Sequence, residues 1–249
     1  HQEARRQRQM CIRDSTNSGK LSSEKTIIIS DTKIKSIENG YKEASDDDIK
    51  IYDLKSKVVL PGLIDFHVHM ESQSGGQDRD VRRFQDNKAD VAFRSSVIAK
   101  KTLMSGFTTV RDVGGSGVNI SLRNAINNGV IPGPRIFTSG KTIATTGGHG
   151  DSTNGFRDDL VDDPGPEQGV VNSIADARKA VRYRYKNGAD LIKITATGGV
   201  MSLAKNGQNP QFTEEVIREI VKTANDYGMH VAAHAHGDEG MFRAVNAGV

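Results

Sequence analysis

From Pro61-Gly62 onward, short apolar strands alternate with amphipathic helical stretches to the end of the 249-residue chain, and no other feature constrains its fold as tightly. The pattern places strands at Gly62–Met70, Phe107–Val113, Arg135–Thr138, Asp190–Ala196 and His230–Ala235. Helices fall between them. The clearest runs from Thr213 to Tyr227, with Thr213 as N-cap and Glu214 and Glu215 in the first turn. Val216, Ile217, Ile220, Val221 and Ala224 form its apolar stripe, and Gly228 ends it. Repeated strand-then-helix order requires parallel strands with helical crossovers, either a doubly wound sheet or a (β/α) barrel. Periodicity does not separate the two.

Two other regimes precede this one. Residues 1–24 are polar and without periodicity, and read as a disordered or non-native tail. Residues 25–60 carry the β-branched runs TIIIS, IKIYDL and KVVL, parted by polar turns at Asn39-Gly40 and Ser45 to Asp48, which predicts a small antiparallel β unit. The barrel-like part then spans 61–249. No run approaches the roughly 18 apolar residues of a membrane-spanning helix, so no membrane partner is expected. Lys and Arg number 34 against 31 Asp and Glu, a net charge of +3 with the basic excess gathered in the first twenty residues, which gives little support to nucleic-acid binding. The lone cysteine, Cys11, rules out an internal disulfide and a cysteine zinc site, leaving His, Lys and carboxylates as possible metal donors. No secretory signal follows the early arginines, which favours a cytoplasmic location, although His1 rather than Met opens the chain.

Two short motifs fail on inspection. Gly115-Ser116-Gly117 follows a strand and precedes a helix, but the third glycine of a dinucleotide fingerprint would fall at Ile120. Ser139-Gly140-Lys141-Thr142 resembles the end of a phosphate loop whose first glycine would be Arg135.

The chemistry-bearing residues cluster at strand ends. His67 and His69 stand two apart in GLIDFHVHM, so both imidazoles point to one side of an extended chain and could share a metal. The competing reading is a packed, hydrogen-bonded pair. Lys193 lies inside the apolar strand DLIKITA, where an unpaired ammonium is costly. It must snorkel, pair with a carboxylate, form a Schiff base, or take up carbon dioxide as a carbamate that adds an anionic oxygen ligand. His230 opens the last strand and should lie at the barrel bottom, whereas either His234 or His236, near the strand's C-terminal end, could be a ligand. His149 sits in the glycine-rich loop TTGGHGD, which lets a ligand approach the backbone closely.

In order, VVLPGLIDFHVHM, GFTTVRDVGG, TTGGHGD, GADLIKITATGGVMS and HVAAHAHG resemble the amidohydrolase superfamily, in particular its imidazolonepropionase-like branch with Xaa-Pro dipeptidases, over residues 26–249. The resemblance implies an α/β fold, a TIM-type (β/α) barrel joined to a small β-sandwich, with a binuclear metal centre, usually zinc, at the strand tips. It implies that His67 and His69 bind the first metal, that Lys193 as a carbamate made with carbon dioxide bridges both, and that His234 binds the second. His149 would contact the substrate, and His236 is left as a substrate-side residue.

The function so implied is hydrolysis of a C–N bond, in a dipeptide of the Xaa-Pro type, by hydroxide generated between two divalent ions. A carboxylate must shuttle a proton to the departing amine. A cyclic-amide hydrolase such as an imidazolonepropionase, and a metal-free scaffold, are the alternatives, and a homo-oligomer is compatible with each. The sequence carries five strand-helix units, whereas a closed barrel needs eight, and the expected ligands on a sixth and an eighth strand have no counterpart. The chain therefore reads as an N-terminal fragment, inactive as it stands.

Overall fold

The computed structural model describes residues 7–15, 21–43, 48–72, 81–82, 84–200, 202–203 and 205–249. The chain divides into two compact units, His1–Gly62 and Leu63–Val249.

The first unit is a single four-stranded sheet of β1 (Gln7–Ser15), β2 (Leu21–Ser30), β3 (Lys33–Asn39) and β4 (Lys50–Val59), in the order β3-β2-β1-β4. Strand β1 runs antiparallel to β2 and parallel to β4. Two expectations are corrected here. The tail expected to be disordered over 1–24 contributes β1 and the start of β2, with residues 1–6 and 16–20 outside the described residues. Its Gln and Arg residues lack a strand-like side-chain signature, but ladders are built from main-chain groups, and β1 fills the gap between β2 and β4. The sheet is also mixed rather than antiparallel.

The second unit is built from β/α repeats. Its strands are β5 (Leu63–Val68), β6 (Phe107–Asp112), β7 (Arg135–Thr138), β8 (Ile192–Thr195) and β9 (Val231–His234). Its helices are α1 (Lys88–Met104), α2 (Val118–Asn127), α3 (Ile174–Lys186), α4 (Glu214–Asp226) and α5 (Asp238–Asn246). Pairing is parallel throughout, β5-β6-β7 and β8-β9. The two groups join where Asp190 N donates to Thr138 O at 2.8 Å and Ile143 N to Lys193 O at 2.8 Å. Strand order therefore follows chain order without reversal. A doubly wound sheet reverses at its switch point, so the alternative left open by periodicity is decided in favour of the barrel arrangement.

Local chemistry accounts for the helices. Ser173 Oγ accepts from Asp176 N at 3.1 Å and caps α3. Thr213 is the N-cap of α4 by backbone conformation, without a side-chain bond. After α4 the chain leaves through Gly228, whose φ of +68° belongs to the left-handed region that other residues avoid. The stripe of α4 packs with Ala177, Ala180 and Val181 of α3 and with Ile192 and Ile194 of β8 to form the larger core. A smaller core joins Met70, Ile98, Ala99, Val110, Leu122 and Ile136 under β5 to β7. Both cores hold the strands so that their C-terminal tips carry the polar residues described next.

Candidate active site

The tip of β5 presents His67 and His69 with ring centroids 5.4 Å apart, edge to face. His69 Nδ1 lies 2.9 Å from Gly114 O, beyond the tip of β6, and this contact leaves Nε2 as the outward nitrogen. His234 ends β9. Its Nε2 lies 2.8 Å from Gly198 O, and its ring stacks on His149 with centroids 4.3 Å apart. His236 follows at 5.0 Å from His234, edge to face, with its main-chain N donating to Thr197 Oγ1 at 2.9 Å. His149 is held from behind, its main-chain N donating to Gln211 Oε1 at 2.9 Å. The imidazole also lies flat against Gly199, where a Cβ would come within 2.6 Å of Cε1. Glycine there makes room for the ring. His230 precedes β9, and its carbonyl accepts from Ile192 N at 2.8 Å, so it sits at the strand end opposite His234.

Lys193 pairs with Ala232 in the β8-β9 ladder, one pleat below the Thr195–His234 pair. It is 5% exposed. Burial, reinforced by the Arg111 guanidinium, pushes its ammonium down to about 8. The same lysine lowers the proton affinity of two rings. For His67 burial is the largest cause, followed by Lys193, His69, Arg111 and His234. For His234 burial again leads, with Lys193 and His236 adding to it and the Gly198 carbonyl opposing. Both imidazoles therefore favour the neutral form that binds a metal ion.

The structure thus forms two histidine groups, His67 with His69 and His234 with His149 and His236, and Lys193 acts electrostatically on one ring of each. Among the described residues no three of His, Cys, Asp or Glu approach closely enough to hold a metal by themselves. Neutral imidazole nitrogens and an amine with depressed proton affinity suit a borderline divalent ion such as zinc in donor chemistry.

Sequence reasoning missed three residues here. Arg111 on β6 donates Nε to Phe66 O at 2.8 Å and bears on both His67 and Lys193. Asp112 ends the same strand, fully buried, and burial pushes its carboxyl up to about 6 against hydrogen bonds from Met70, Asn119 and Gly114. Glu71 accepts from Ser116 N and Asn119 N at 2.7 and 2.8 Å. The available signal was the RD pair at the C-terminal end of β6, the barrel end that carries chemistry.

Parallel strands in chain order, with histidines at the C-terminal tips of β5 and β9 and Lys193 one pleat below the tip of β8, are the arrangement of a TIM-like barrel of the hydrolase type. The chain belongs to the amidohydrolase family, whose model matches residues 58–249, a family of hydrolases acting on C–N bonds. A solved Xaa-Pro dipeptidase with methionine bound in its active site is 48% identical, with a TM-score of 0.92 over 98% of this chain and 60% of its own. A prolidase complexed with N-methylphosphonate-L-proline is 31% identical, with a TM-score of 0.85 over 98% of this chain and 59% of its own. The ochratoxinase of Aspergillus niger is 31% identical over 202 residues, 77% of this chain and 42% of the relative. The chain thus spans less than two thirds of the length of each.

Proposed function

We propose that the protein hydrolyses the amide bond of a dipeptide, of the Xaa-Pro type, at a binuclear metal centre. The observation that carries this reading is Lys193, buried one pleat below the tip of β8 with depressed proton affinity and acting on one ring of each histidine group. In this reading His67 and His69 would hold one ion and His234 the other. The neutral Lys193 amine, by adding to carbon dioxide with formation of an N–C bond and release of one proton, would supply a carbamate as a further anionic oxygen donor. When bound, the ions supply Lewis-acid polarisation of the carbonyl and lower the pKa of water.

The chain's own residues then orient the substrate. His149, fixed through Gln211 and stacked on His234, faces the peptide, and His236 stands on the substrate side. The identity of the solved dipeptidase and prolidase supports a dipeptide over a cyclic amide. Ochratoxinase supports amide hydrolysis in general within the family.

Elemental analysis of the purified protein, with turnover assayed on a panel of Xaa-Pro dipeptides and a cyclic amide, tests the reading. In a chain extended to the length of the solved dipeptidase, of which this one covers 60%, two ions per chain and preference for the dipeptides are expected. Lys193→Ala should lose both metal and activity, with short carboxylic acids restoring part of each. Metal content unchanged in that variant sinks the bridging role, and a native protein without stoichiometric metal favours a non-catalytic scaffold.

A further inference from the structure

Two carboxylates next to His69 hold each other's loops. Asp112, at the tip of β6, accepts from Met70 N at 3.1 Å through Oδ2, and from Gly114 N at 3.3 Å through Oδ1. Met70 follows His69, and Gly114 supplies the carbonyl facing His69 Nδ1 at 2.9 Å. One buried carboxylate therefore fixes the backbone on both sides of a single imidazole contact. Glu71 works in the opposite direction. Coming from the β5 loop, it accepts from Ser116 N and Asn119 N in the β6 loop and at the start of α2. Asn119, itself fully buried, belongs to both arms, since its side-chain Nδ2 donates to Asp112 Oδ1 at 3.3 Å. The space is closed as well. A Cβ on Gly115 would lie 2.5 Å from Glu71 Oε1, and one on Gly114 would lie 2.6 Å from Thr142 Oγ1 and 3.3 Å from His69 Cε1.

We propose that Asp112 and Glu71 form a reciprocal clasp that locks Gly114 O against His69 and so holds this imidazole with its proton on Nδ1. A ring whose Nδ1–H donates to a fixed carbonyl presents a bare Nε2, and partners of this kind orient ligating histidines. Both carboxylates are positioning residues, not ligands, because their oxygens are occupied by main-chain and Asn119 donors. Their value for metal binding rests on the site proposed above, whereas the tautomer lock does not.

The test uses the full, metal-free chain labelled with nitrogen-15 at histidine, in which the ring-nitrogen spectrum reports each tautomer. Native His69 is expected as the Nδ1–H form. Asp112→Ala and Glu71→Ala should convert it to a mixture, and Asp112→Asn, which keeps one acceptor oxygen, should do so less. His230, at the far end of its strand, should stay unmoved in every spectrum and serves as the folding control. If Asp112→Ala does not fold, Glu71→Gln probes the other arm of the same clasp. A His69 tautomer identical in the native chain and in all folded variants overturns the proposal. Zinc titration separates the two readings: affinity falling about 10- to 100-fold in the variants supports both. A native chain that takes no zinc while His69 still responds overturns the metal reading and leaves the clasp standing.

Discussion

Lys193 occupies a costly position just below the strand tips. Its ordinary value of 10.5 falls to about 8 because burial penalises the ammonium. Below pH 8 the folded and unfolded chains are both protonated, and the penalty is present in full. Between 8 and 10.5 the folded chain sheds its proton first, so the penalty fades as pH rises through that window. In metal-free buffer purged of carbon dioxide, Lys193→Met should therefore stabilise the fold at pH 7 by about 2 kcal/mol, after discounting for residual solvent access. The gain should shrink as pH approaches 10.5. Denaturant midpoints measured at both ends of the window check this, and a variant no more stable than the native chain at pH 7 would show that the lysine is not paying for burial. At this scale the sequence was readable where a polar residue broke an apolar run, as Lys193 does in DLIKITA and His67 and His69 do in GLIDFHVHM. Asp112 and Glu71 escaped because most of their partners are main-chain N–H groups, which every residue carries.

Among the elements, α4 and α3 give the sharpest expectations. Ile217 and Ile220 are fully buried in the larger core, and truncating either to Ala should cost about 2–5 kcal/mol, read from urea denaturation. Ser173→Ala should cost about 1 kcal/mol through loss of the bond from Asp176 N, and Ser173→Gly only a few tenths. Equal losses from Ala and Gly at this position would mean that the cap is not the cause. The strands β5 to β9 were legible because each is a short apolar run bounded by turn residues, and only their ends differ: Asp190–Ala196 shortens to Ile192–Thr195. Strand β1 was not legible, since QRQMCIRDS has no β-branched run and is organised by the ladders on either side of it. Which parallel architecture the strands adopt was also closed to periodicity. It depends on the pairing of strands distant in sequence, and a face pattern does not encode pairing.

Taken whole, the second unit leaves apolar surface at its first strand. Leu63, Ile64 and Phe66 on β5 are all exposed, with Phe66 at 63%, and β5 is the edge of its three-stranded group. Exposed apolar edges pair with other chains. The 249-residue chain is thus expected to self-associate in the micromolar range, and Ile64→Lys with Phe66→Lys should raise the concentration at which it does so. Sedimentation velocity over a dilution series decides this: a native chain that stays monomeric throughout would contradict it. The chain-order pairing of the strands also bears on synthesis. After β5, the strands of the second unit follow their neighbours in the order of synthesis, so β6 can dock on β5 and β9 on β8 without waiting for later residues. The β5-β6 corner with its histidine pair is complete by about Asn119, long before His234 is translated. A stalled nascent chain would display the first histidine group on its own, and the second appears only with the last strand.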